Sequence, residues 1–166
     1  MKNLLAVLVL TLFTTLLVHS TPAHSFELHD FKGQATSLDD VIGNDKWTLV
    51  MFWAHDCGIC KAEFPALSEF NSRRGDVEVV GISIDGSGKK HLAQDFLASS
   101  KPSFDSYISD LSLVAFNYEA LTEENFRGTP TFLLFTPKGE LLGNNPGKLS
   151  IEALENFIAK NSEQKS

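Results

Sequence analysis

The only two cysteines of the chain stand three apart, as Cys57-Gly58-Ile59-Cys60, directly behind the apolar run Trp47-Thr48-Leu49-Val50-Met51-Phe52-Trp53-Ala54. Such a run reads as a central strand buried on both faces of a sheet. A strand that feeds a Cys-x-x-Cys into the first turn of a helix has the geometry of a dithiol that cycles with a disulfide. The chain must therefore place a helix immediately after a buried strand.

Patterning elsewhere alternates short β-rich runs with longer segments of helical spacing, which predicts a mixed α/β layer fold. Phe26 to Leu38 reads as an extended lead-in or loose hairpin turning at Lys32-Gly33. Gly58 to Arg73 places Phe64, Leu67 and Phe70 at helical spacing, with Pro65 expected to interrupt and kink the helix one turn after the cysteines. Val77 to Ile84 is a second buried strand, and Asp85-Gly86-Ser87-Gly88 turns into a helix carrying Leu92, Phe96 and Leu97. A short strand over Phe104 to Ser109 and a short helix over Leu111 to Tyr118 follow. Thr131 to Thr136 is a strand, Pro137-Lys138-Gly139 a tight turn, and Glu140 to Gly143 its antiparallel return. Ser150 opens a last helix as its N-cap, with Leu154, Phe157 and Ile158 expected on one apolar face.

The N-terminus begins Met1-Lys2-Asn3 and continues from Leu4 to Val18 without a charged side chain. This predicts a secretory signal peptide over residues 1–25, cut near Phe26, with an uncleaved anchor as the alternative. The apolar run is shorter than the ~20 residues that span a bilayer, which favours cleavage. Residues 26–166 then form one domain with its own core. Of the 14 basic residues only Lys2 precedes Phe26, so the domain carries 13 against 21 acidic residues, a balance of −8. With no basic cluster, nucleic acid is not an expected partner. An exported environment is one where disulfides persist.

To attack a disulfide, Cys57 must be exposed and reach the thiolate state, and Cys60 must be close enough to resolve the mixed disulfide. Both needs are met if Cys57 lies at a helix N-terminus, where unpaired N–H groups and the helix dipole favour a negative sulfur. Two other readings compete. A structural disulfide would close so small a loop that it constrains the unfolded chain little. A zinc site normally takes four ligands, and only His55 is local, the other histidines being His19, His24, His29 and His91. No metal and no cofactor beyond the cysteine pair is expected.

The segment Phe52-Trp53-Ala54-His55-Asp56-Cys57-Gly58-Ile59-Cys60-Lys61-Ala62-Glu63-Phe64-Pro65 resembles the active-site segment of the thioredoxin superfamily. Its Glu63-Phe64-Pro65 continuation is similar to the exported TlpA-like branch, which includes the ResA-type and cytochrome-c-maturation thioredoxins. Gly128-Thr129-Pro130-Thr131-Phe132-Leu133 resembles the cis-proline loop of that superfamily, and Pro137-Lys138-Gly139-Glu140-Leu141 the hairpin after it. The resemblance implies a three-layer fold, a central mixed sheet flanked by helices. It implies an exported, periplasmic thiol–disulfide oxidoreductase, a monomer that acts as a reductant on cysteine-containing exported proteins and is kept reduced by a membrane thiol donor. Cys57 would be the nucleophile and Cys60 the resolving thiol. Pro130 would be the cis-proline, and the backbone of Thr129 would pair with an extended substrate segment. Glu63, at i+3 from Cys60, would transfer protons to the pair, against the alternative of a solvated helix acid.

Departures from the pattern bear on the poise of the pair. Met51 occupies the place of a buried acid in thioredoxin, Asp56 that of a tryptophan and Ile59 that of a proline. At ~5 Å and an effective dielectric of 20–80, Asp56 would oppose a Cys57 thiolate by about 1–3 kcal/mol. His55, if cationic, would act the other way. Two functions of other classes are carried alongside: a copper-handling thioredoxin-like metallochaperone holding Cu(I) through its thiolates, and a thiol peroxidase. Copper-chaperone relatives use a later histidine, and none follows His91 here. Peroxidases carry Thr or Ser three residues before the reactive cysteine, where this chain has Ala54.

Overall fold

A computed structural model describes residues 26–163. The expected signal segment, residues 1–25, lies outside the described residues. Within them, no helix is long and apolar enough to cross a membrane.

The chain opens with an antiparallel hairpin, β1 (Glu27–Asp30) and β2 (Ala35–Ser37), followed by one helical turn, α1 (Leu38–Val41). Strand β3 (Trp47–Trp53) is buried at every position, as its unbroken apolar sequence requires. It leads into α2 (Gly58–Arg73), then β4 (Val77–Ser83), α3 (Lys90–Ser100), β5 (Asp105–Ile108), α4 (Leu111–Thr122), β6 (Thr131–Phe135), β7 (Leu141–Pro146) and α5 (Ile151–Glu163). One seven-stranded mixed sheet has the order β2-β1-β5-β4-β3-β6-β7. Its centre is parallel from β3 to β5, while β6 and β7 run antiparallel on one side and the hairpin closes the other.

Alternation along β3 divides the core into two layers. Trp47, Leu49, Met51 and Trp53 pack with Phe64, Leu67 and Phe70 of α2, Ala93 and Phe96 of α3, and Leu154 and Ile158 of α5. Val50 and Phe52 face the opposite layer with Leu38 at α1 and Val114 and Tyr118 of α4. Helices thus cover both faces of the sheet, which is the expected three-layer arrangement.

Two local expectations are corrected. Helix α2 runs unbroken through Pro65. The proline sits on the exposed side, where water can serve the Lys61 carbonyl that its missing N–H would have bonded. Phe157 does not join the buried face of α5. It is 43 % exposed, whereas Leu154 and Ile158 are buried. Helix α1 is an element the sequence reading did not anticipate. Its start is tied by Asp40, whose carboxylate accepts the Ser37 N–H at 2.9 Å, the logic of a capping box.

Candidate active site

The site is built where β3 ends. Trp53 closes the strand, and a turn through Ala54, His55 and Asp56 is fixed by the Cys57 N–H donating to the Ala54 carbonyl at 3.1 Å. Cys57 is the N-cap of α2, its sulfur accepting the Cys60 N–H at 3.1 Å. The two cysteines form a disulfide. Cys57 is partly exposed, while Cys60 is wholly buried under the first turn. Opening the bridge therefore leaves one accessible sulfur among unpaired helix N–H groups, where negative charge is favoured. The buried sulfur lies one turn away.

Residues around the pair take distinct places. Glu63 is buried at 6 % exposure, so it is not the solvated helix acid of the alternative reading. Its Oε2 accepts the Leu149 N–H at 3.4 Å, tying α2 to the segment before α5. Asp56 is exposed, and Ile59 presents its side chain to solvent at 53 % exposure. His55 is anchored to Asp85 at two points. Its Nδ1 lies 2.5 Å from Asp85 Oδ1, and its backbone N–H donates to Asp85 Oδ2 at 2.9 Å.

Asp85 is the site residue that sequence reasoning missed, having read it only as part of a turn. Its side chain is 4 % exposed and also accepts the Ser83 hydroxyl at 2.7 Å. Beside it, a groove of about 640 Å³ is lined by Ala54, Asp56, Asp85, Lys89, Asp110 and Leu111 among others.

The second expected loop reaches the same end of the sheet. Phe52 pairs with Thr131 across β3 and β6, so Thr129 and Pro130 enter the sheet beside the place where β3 gives way to the cysteine turn. The Thr129–Pro130 peptide is cis. Pro130 is buried, and its carbonyl accepts the Gly147 N–H at 2.8 Å. Among the described residues, no group of three or more His, Cys, Asp or Glu side chains is arranged to hold a metal ion.

Residues 20–142 match the AhpC/TSA family, a span that includes the cysteine turn and every strand through the start of β7. The chain belongs to the AhpC/TSA family. Curated relatives of this AhpC/TSA-family chain include a thioredoxin of Mycolicibacterium smegmatis, 41 % identical over 64 residues, which are 38 % of this chain and 57 % of the relative. A thioredoxin of Streptomyces clavuligerus is 39 % identical over 46 residues, 28 % of this chain and 43 % of the relative. The chain thus spans about half the length of the curated relatives it matches. Among solved structures, MTB dsbF superposes with a TM-score of 0.64 at 19 % identity, covering 82 % of this chain and 94 % of that one. A secreted Mycobacterium tuberculosis disulfide oxidoreductase homologous to E. coli DsbE gives 0.62 at 22 % identity, covering 82 % and 96 %. StoA from Bacillus subtilis gives 0.61 at 20 %, covering 80 % and 94 %. At these identities the likeness is one of fold, and the fold is thioredoxin-like.

Proposed function

We propose that this protein is an exported thiol–disulfide oxidoreductase that reduces disulfides of cysteine-containing exported proteins. The observation that carries the reading is the asymmetric disulfide, with an accessible Cys57 at the N-terminus of α2 and a buried Cys60 one turn on. In the reduced protein, the Cys57 thiolate attacks one sulfur of a substrate disulfide. A mixed disulfide forms and the other substrate sulfur leaves as a thiolate that takes up a proton. Cys60, deprotonated, then attacks Cys57, which regenerates the Cys57–Cys60 disulfide and releases the second substrate thiolate. Two electrons pass from the protein to the substrate, and a membrane thiol donor returns them. Glu63, buried in the same helix face as Cys60, is assigned the proton of the resolving step. The backbone of Thr129 beside Pro130 is assigned the pairing with the substrate chain.

Export is supported by the apolar N-terminal segment and by likeness of fold to a neighbour described as secreted, and the reducing direction by the resemblance of the Cys57 to Pro65 segment to the TlpA-like branch. The test is reduction of insulin disulfides together with trapping. Cys60→Ser is expected to accumulate mixed disulfides through Cys57, and Cys57→Ser to form none. A Cys57→Ser, Cys60→Ser double variant that still reduced insulin would overturn the reading. Equilibration with glutathione decides direction: a potential nearer the about −270 mV of thioredoxin than the about −120 mV of the oxidant DsbA marks a reductant.

A further inference from the structure

The turn that carries Cys57 is held by a carboxylate from a different strand, and the parallel pairing of β3 with β4 explains why. Partners along the two strands keep a constant offset, from Trp47 opposite Val77 to Trp53 opposite Ser83. Two residues beyond each strand, the same offset sets His55 against Asp85. There a nearly buried carboxylate receives three donors: the His55 N–H at 2.9 Å, the Ser83 hydroxyl at 2.7 Å and His55 Nδ1 at 2.5 Å. A carboxylate only accepts, so Nδ1 must carry the hydrogen. That leaves Nε2 as the ring nitrogen not engaged by Asp85.

We propose that Asp85 is a positioning residue for the redox pair, clamping the turn before Cys57 and fixing His55 there with its Nδ1–H toward Asp85, so that His55 tunes the Cys57 thiolate. The inference rests on the oxidoreductase reading. Charges facing this turn make the role specific. Asp56 lies on the turn itself, Lys89 comes from the loop after β4, and Asp110 stands at the start of α4, all lining one groove with Asp85. The groove thus carries three carboxylates against one lysine beside the turn that leads into Cys57, and Lys61 adds a cation one turn into α2. His55 is the one further group on the turn able to offset the carboxylates with positive charge. The residue after Asp85 must be a glycine, because the backbone of Gly86 lies at φ +66° and an added Cβ would collide with the Asp110 carboxylate. Asp85 is itself bridged to Asp110, and the Gly86 N–H donates to the Ser109 carbonyl at 3.2 Å, which ties this loop to the segment before α4.

The thiolate absorbance of the reduced protein near 240 nm, followed against pH, reads the effect directly. His55→Ala is expected to raise the midpoint of the Cys57 titration by roughly 0.5–1 pH unit, the size of one unit charge acting over a few ångströms of partly solvated turn. His55→Gln, which can still donate to Asp85 but carries no charge, is expected to match it. On an Asp85→Asn background the shift caused by His55→Ala should fall below half, because the ring is no longer held. The glutathione potential should move with the midpoint in each case. A clamp with only a structural role would lower the melting temperature of Asp85→Asn and leave all Cys57 titrations at the wild-type midpoint, and that result overturns the proposal. Equal His55→Ala shifts on both backgrounds overturn it as well. If Asp85→Asn does not fold, His55→Ala and His55→Gln decide: no shift in either refutes the tuning. A wild-type pair that fails to equilibrate with glutathione counts instead against the oxidoreductase reading, and the titration can still be read.

Discussion

Gly81 lies within β4 in the layer behind the candidate active site, close against Trp53 and Phe104, and Gly81→Ala tests how that layer is packed. An added Cβ would lie 2.5 Å from Ser106 Oγ, 2.9 Å from Trp53 Nε1 and 3.3 Å from Phe104 Cε2. The serine hydroxyl is the end of a short side chain and can rotate away. Trp53 cannot: it is wholly buried, stacked on Phe96 with ring centroids 4.9 Å apart and packed against Phe64 at 5.5 Å. Phe104 is braced in turn by Phe64 at 5.2 Å. Overpacking of this kind costs about 1–3 kcal/mol, offset by about 0.4–1 kcal/mol from the lower entropy of the unfolded alanine chain. A net loss of about 1–2 kcal/mol corresponds to a fall of roughly 3–10 °C in melting temperature for a domain of this size. Gly143→Ala in β7 is the internal control. Nothing lies within 4 Å of its added Cβ, so only the backbone gain applies. Thermal unfolding of the oxidised variants by circular dichroism gives both numbers. A Gly81→Ala protein that melts at or above the wild type, or level with Gly143→Ala, refutes the claim that Trp53 is immobile.

Asn71→Ala is expected to cost about 1–3 kcal/mol in urea unfolding. The Asn71 side chain accepts the buried Val79 N–H at 2.8 Å, a donor left over because β5 joins β4 only from Val80 onward. Stability should also fall at both ends of the pH scale. Asp30, Asp40 and Asp76 are held below the ordinary carboxylate range, chiefly by the Gln34 N–H, the Ser37 hydroxyl and the Arg74 guanidinium respectively. Depressed folded values mean that the unfolded chain binds protons first, so this stabilisation is present above about pH 4 and is lost as pH falls through the folded values. Burial raises the phenols of Tyr107 and Tyr118. Their contribution is whole below about pH 10 and is lost as pH rises beyond it. Melting temperatures across the pH range check both signs, and a melting temperature unchanged down to pH 2 would contradict the first.

What the sequence disclosed depended on whether the signal was local. The strand from Trp47 was legible because a run buried on both faces needs no partner to be recognised, and the cysteine turn followed from its position behind that strand. Phe157 was misplaced because helical spacing says which residues share a face, but not how much of that face the sheet covers. Leu154 and Ile158 fill the available contact. Helix α1 was invisible for the opposite reason: one turn has no period to detect, and only the Ser37 and Asp40 pair marked it. Asp85 was hidden because its role depends on register. Nothing near it in sequence distinguishes it from a turn aspartate until the alignment of Trp53 with Ser83 is known.

That register also explains why the site stands at this end of the sheet. From β3 the chain crosses to β4 and then β5 on one side, while β6 returns along the other. The loops after β3 and β4 both leave this end of the sheet for helices on one face, α2 and α3, and the entry to the antiparallel β6 arrives at the same end beside β3. One buried strand thus collects three contributions that are far apart in the chain: its own cysteine turn, Asp85 from the strand that follows, and Thr129–Pro130 from the antiparallel neighbour. Because β3 holds all three in place, a change that moves Trp53, its last residue, disturbs the clamp at His55 and the entry of Pro130 together. The packing of Gly81 against Trp53 is therefore coupled to the geometry of the candidate active site.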